Sequence, residues 1–239
     1  IRDITSMIFT VGLSVAIRMS LRWSATELER REAVKSRTEA ELKNLRNQLN
    51  PHFLLNTLNN IYALTAFDTE KAQQAIQELS KLLRYVLYDN QETFVPLTKE
   101  VEFIQNYIEL MRIRVSSAVK INTNFQIRPD SQSPVAPLLF ISLIENAFKH
   151  GISPTEPSFI DITLTEKDDE IHCVIRNSNY PKNAMDKSGS GIGLEQVRKR
   201  LELLYAGRYE WHQQISSNQK EYSSILTIKI PDNNKKILP

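Results

Sequence analysis

Near residue 117 the apolar pattern of this chain changes its period. Before it, apolar residues recur every three or four positions, the spacing of one helix face; after it, alternating stretches stand between helical ones. A helix buries a stripe and a strand buries every second residue. The chain must therefore join a helical part to a layered part in which helices cover a sheet. The strands come in hairpin-like pairs, which predicts an α+β sandwich and not a doubly wound sheet.

The helical part reads in three pieces. From Ser24 to Asn50 the composition is Glu, Arg, Lys, Ala and Leu without Gly or Pro, which predicts a long exposed helix. Leu28, Leu42, Leu45 and Leu49 give it a weak coiled-coil seam. Helicity continues through LNPHFLLNTLNNIYAL to a turn at Phe67, Asp68 and Thr69. A second helix then presents Ala75, Ile76, Leu79, Leu82, Leu83, Val86 and Leu87 on one face. This stripe is too wide for one hairpin to bury, so two hairpins are expected to pair as a four-helix bundle in a homodimer. A third helix, capped by Thr98, runs to about Val115.

Beyond it, strands are expected at 120–127, 160–165, 171–175, 209–215 and 224–230. One helix is expected to open at Pro134 and Pro137 and reach Lys149, and another to run from Gly191 to Ala206, closed by Gly207. The resulting organisation is 1–23, 24–92, 93–116 and 117–235.

Composition narrows the function. Thirty basic residues against 28 acidic ones, with no long run of one sign, leave no footprint for direct nucleic-acid binding. The one cysteine, Cys173, excludes an intramolecular disulfide and a multi-cysteine zinc cluster, which fits a reducing, cytoplasmic compartment. Ile4 to Ile17 is uncharged but short of the roughly 20 residues that span a bilayer. Followed by Arg18, Arg22, Arg30 and Arg31, it reads as the end of a transmembrane helix with those arginines on the cytoplasmic side.

Three segments bear chemistry. Pro51 has no amide hydrogen and crowds the carbonyl of Asn47, so the helix should kink and turn the His52 imidazole outwards. An outward imidazole is a nucleophile, proton carrier or metal ligand, although a lone histidine is commonly a surface or capping residue. Asn56, one turn on, faces the same side and suits either water orientation or a bundle hydrogen bond. In LLFISLIENAFKHG, Phe140, Ile144 and Ala147 make the buried face and Ser142, Asn146 and Lys149 the opposite one. With Glu145 and His150, that segment offers an oxygen ligand for Mg²⁺, a carboxylate base and cations for phosphate, or merely a solvated face. In GSGIGLEQVRKRLELLY, Gly189, Gly191 and Gly193 bare the backbone before a helix, where free amides bind phosphate. Neither the Rossmann nor the P-loop spacing is present.

Taken together and in this order, QLNPHFLLNTLN, LIENAFKHG and GSGIGL resemble the LytS-type sensor histidine kinases over about Leu42 to Ile230. The ATPase domain of that family has the Bergerat fold shared with gyrase and MutL. The resemblance implies that His52 is the phosphoacceptor, Asn146 the Mg²⁺ ligand, Glu145 its acidic neighbour, and Lys149 and His150 phosphate-side groups. Gly189, Gly191 and Gly193 correspond to the glycine box under a lid. It further implies ATP and Mg²⁺ as cofactors, a homodimer, and a response regulator, of the LytTR type, that takes the phosphoryl group on an aspartate. The chain departs from the family at RNSNYP, where Asn177 takes the place of the adenine-binding Asp and the following glycines are missing. It also has Phe53 where many other histidine kinases have an acid after the histidine, which leaves the general base open. Two rivals share these features: an anti-sigma-type serine kinase, against which His52 speaks, and a non-catalytic nucleotide-binding or scaffold module.

Overall fold

The structure, a computed structural model, describes residues 18–20, 22–23, 27, 30–32, 51–89, 92–167, 169–180 and 192–230. The chain divides into two compact units, Ile1–Asn59 and Asn60–Pro239. In the first, the described residues between 18 and 32 are helical, and Arg31 Nε donates to Glu27 Oε1 at 3.1 Å, an exposed i,i+4 pair suited to a solvated helix. The segment from Ile4 to Ile17 and the expected helix over 33–50 lie outside the described residues. Among the described residues no helix is long and apolar enough to cross a membrane.

Helix α1 (Pro51–Phe67) carries the boundary between the units. Asp68 alone separates it from α2 (Thr69–Arg84), and the Asp68 carboxylate accepts the Lys71 amide at 3.0 Å. That amide, and then the Lys71 ammonium, hold the Asp68 carboxyl below its usual range. A π-helical turn, Tyr85–Asp89, continues α2.

Within the second unit α2 packs on α3 (Leu97–Arg114), with Ala72, Ala75, Leu79 and Leu82 buried opposite Val101, Ile104, Ile108 and Met111. Tyr85 stacks on Phe103 with centroids 4.7 Å apart. The expected apolar face is thus divided. Leu79 is covered within the chain, whereas Ile76 and Leu87 remain exposed. Thr98 does not cap α3: the cap position is Pro96, and the Thr98 hydroxyl donates to Ser131 O at 3.2 Å.

Pro134 does not open a helix either. Strand β1 (Val95–Pro96) pairs antiparallel with β3 (Pro134–Val135), and α4 (Leu139–His150) begins only after Leu138, whose φ of 58° turns the chain into it. The main sheet contains β2 (Val119–Gln126), β4 (Ser158–Lys167), β5 (Glu170–Ser178), β6 (Tyr209–Ile215) and β7 (Glu221–Lys229) in the order β2-β4-β5-β7-β6. Only β2 and β4 run parallel. Ile160, Ile162 and Leu164 on β4, Ile171, Cys173 and Ile175 on β5, and Leu226 and Ile228 on β7 alternate into one buried face. This is the period-two pattern of a half-covered sheet. α4 packs against β4 and β5, and α5 (Ile192–Leu204) packs against α4, so the architecture is α+β. Gly207, with φ of 69°, ends α5 in a left-handed conformation that glycine adopts without strain.

Candidate functional site

Helix α4 is amphipathic in the way its sequence demands. Leu139, Phe140, Ile141, Leu143, Ile144, Ala147 and Phe148 are buried, Ser142, Glu145, Asn146 and His150 are half-buried, and Lys149 is exposed. Phe148 meets Tyr107 of α3 edge to face at 5.9 Å, which holds the helix against the connecting one. Beside that ring pair, burial raises the pKa of Glu145 and that of Tyr107. A carboxyl so placed holds a proton nearer neutral pH than a surface glutamate does, a property useful in acid–base work.

The end of α4 is tied to the end of β5. Tyr180 N–H donates to His150 O at 3.0 Å, and Gly151 packs on Asn177 so closely that an added β-carbon would lie 2.8 Å from Asn177 Cβ. Asn177 is 1% exposed. Its Nδ2 donates to Ser178 O at 2.7 Å, while its Oδ1 is buried without a hydrogen-bond partner. Buried polar atoms are nearly always paired, so an unmatched acceptor here fits the amino group of a bound base. The fold thereby brings Asn177, Lys149 and His150 to one corner. Asn177 lies inside the strand, one residue from its end, and not in a turn.

Gly193 is an exposed residue of the first turn of α5, and Gly189 and Gly191 lie outside the described residues. Val197 and Leu201 are buried, whereas Leu194 and Leu204 are half-buried. α5 is anchored by Arg200 Nη2, which donates to Pro137 O at 2.7 Å, and by the Tyr205 hydroxyl, which accepts the Ala136 amide at 2.7 Å. His52 is in the first turn of α1 and its side chain lies outside the described residues; Asn56 is half-buried on the same helix. Among the described residues no cluster of three or more His, Cys, Asp or Glu could hold a metal ion.

Sequence reasoning missed two groups. Gly151 follows the KH pair directly, but its partner Asn177 is 26 positions away and only the fold joins them. Glu100, an acid in the first turn of α3, is fully buried.

Residues 40–119 match the family described as Histidine kinase. The chain is 29% identical to Sensor protein LytS of Oceanobacillus iheyensis over 99% of this chain and 42% of that protein. It is 32% identical to Sensor histidine kinase YpdA of Escherichia coli over 82% of this chain and 35% of that protein. Among solved structures, the histidine kinase domain from the Erythrobacter litoralis EL346 blue-light activated histidine kinase covers 78% of this chain and 92% of its own, at 13% identity and a TM-score of 0.43. The chain is thus similar to the sensor histidine kinases, through the family match over residues 40–119 and through these relatives. It spans less than half the length of the curated relatives named here.

Proposed function

We propose that this chain is the transmitter part of a two-component sensor histidine kinase, which autophosphorylates His52 from ATP and passes the phosphoryl group to an aspartate of a response regulator. The observation that carries the reading is the unmatched Asn177 Oδ1, held by Gly151 at the end of the helix that bears Glu145, Asn146, Lys149 and His150. Asn177 accepts a hydrogen bond from the adenine amine, Asn146 gives an oxygen to Mg²⁺, and Lys149 and His150 lie on the phosphate side. Gly189, Gly191 and Gly193 correspond to the glycine box of the ATPase domain, a Bergerat fold, and serve the phosphate side. When bound, Mg²⁺ offsets the charge of the phosphate oxygens.

The imidazole of His52 is the nucleophile: a nitrogen–phosphorus bond forms, the bond from the γ-phosphorus to the ADP oxygen breaks, and the ring proton departs to a base. Glu145, whose pKa burial raises, is the acidic neighbour of Asn146 in the nucleotide site. Asn56 orients a water for dephosphorylation of the regulator, which we assign to the LytTR type. The chain works as a homodimer on the cytoplasmic face of the membrane, tethered through its N-terminal helix. A stripe of exposed Leu55 (60%), Leu58 and Tyr62 (80%) at i, i+3, i+7 on α1 gives such a dimer its apolar seam.

Calorimetric titration with ATP in the presence of Mg²⁺ tests the nucleotide site. ATP should bind in preference to GTP, and Asn146→Ala should weaken the Mg²⁺-dependent part; a wild-type chain that binds no ATP would refute the reading.

A further inference from the structure

Glu100 is 0% exposed in the first turn of α3. Its Oε2 accepts the Tyr85 hydroxyl at 2.9 Å and the Leu138 amide at 3.0 Å, and its Oε1 is buried with no hydrogen-bond partner. Leu138 is the left-handed residue before α4, and its own side chain caps nothing. The Glu100 carboxyl therefore occupies the capping position of a helix that another element supplies, at the end that favours an acceptor. Arg200 on α5 and Tyr205 just after it bear on the same group electrostatically, and Arg200 also binds Pro137 O. Four elements meet at one carboxyl: the turn that continues α2, the helix α3, the start of α4 and the helix α5.

We propose that Glu100 is a positioning residue, a proton-linked latch through which the placement of α2 is passed by way of Tyr85 to the two helices, α4 and α5, that carry the nucleotide motifs. Its consequence for catalysis rests on the kinase reading above. The groups that face the carboxyl are Tyr85 from the turn after α2, the Leu138 and Leu139 amides from the start of α4, Arg200 from α5 and Tyr205 just after it. Burial pushes the Glu100 pKa up to about 7, against the Leu138 amide, the Tyr85 hydroxyl and Arg200, which pull it down. The closed junction thus favours the neutral acid. Any motion of α2 that admits water returns the group toward its ordinary value of 4.5, so opening releases a proton and becomes easier as pH rises from 4.5 to about 7.

Amide hydrogen exchange of the whole chain, followed on peptides spanning residues 136–144 from pH 5 to 8.5 and corrected for intrinsic rates, tests this directly. In the wild type, opening should increase up to about a hundredfold between pH 5 and 7 and then level off. Glu100→Gln, a neutral isostere, should hold the low-pH protection across the range. Tyr85→Phe removes one donor that favours the ionised form, so its levelling should move to higher pH; it also serves should the Gln variant not fold. The KM for ATP should vary less with pH in Glu100→Gln than in the wild type. An unchanged pH slope in Glu100→Gln, or an unmoved midpoint in Tyr85→Phe, would overturn the proposal. Exchange needs no nucleotide, so failure of the wild type to bind ATP would count against the kinase reading while the latch is judged separately.

Discussion

Gly151 leaves no room for a side chain against Asn177: a β-carbon there would lie 2.5 Å from Ala147 O, 2.8 Å from Asn177 Cβ and 2.9 Å from Asn177 Nδ2. Two of those neighbours are backbone or backbone-adjacent and have little freedom to yield. Gly151→Ala should therefore cost about 1–3 kcal/mol of stability through overpacking. By displacing Asn177 it should also weaken ATP binding. Thermal unfolding and nucleotide titration on the same preparation check both effects.

Asn177 itself carries the adenine assignment. Asn177→Ala should cost roughly 1–3 kcal/mol of ATP binding, since the partner group on the base would go unmet. Asn177→Asp should match or exceed the wild type, because a charged acceptor makes the stronger hydrogen bond. Wild-type affinity in the Ala variant would remove Asn177 from the site.

Glu166 closes the loop after β2 and is 3% exposed at its side chain. Burial pushes its pKa up, but Arg128 at 2.7 Å, Ser133 at 2.6 Å and Ser131 at 2.7 Å outweigh it and bring the carboxyl down to about 2. Its folded value lies below its ordinary 4.5, so its contribution is fully present above that value and lost as pH falls from 4.5 to about 2. Denaturant unfolding across that window should show the decline. Glu166→Gln should flatten it and lower stability at pH 7 by about 1–3 kcal/mol.

The dimer seam is placed on α1 and not on the α2 face, because Leu79 is already covered by α3 within one chain. Leu55→Arg with Leu58→Arg should yield a monomer by light scattering that keeps its helical circular dichroism, since both side chains are exposed in the single chain, and whose melting no longer depends on protein concentration. Leu79→Arg should instead unfold the α2–α3 contact by burying an unpaired charge. A dimer that survives the α1 double variant would move the seam elsewhere.

What the sequence made legible follows from local pattern. A sheet covered on one side forces alternation, so all five strands of the main sheet were found and Tyr209–Ile215 has the expected bounds. The motif helix also kept its buried and open faces. Pro134 misled because proline suits a first helical turn, whereas here it pairs with Pro96 across a two-residue ladder fixed by distant chain. Thr98 looked like a cap for the same local reason, yet its hydroxyl found Ser131, 33 positions on. Glu100 and the Gly151–Asn177 contact depend wholly on tertiary packing, and no spacing in the sequence announces them.

The central claim is that His52 is the phosphoacceptor, and incubation with γ-labelled ATP and Mg²⁺ followed by acid or alkali treatment tests it most directly. The wild type should take label that acid removes and alkali spares, and His52→Gln should take none while still binding ATP. Label that survives acid, or full labelling of His52→Gln, would contradict it.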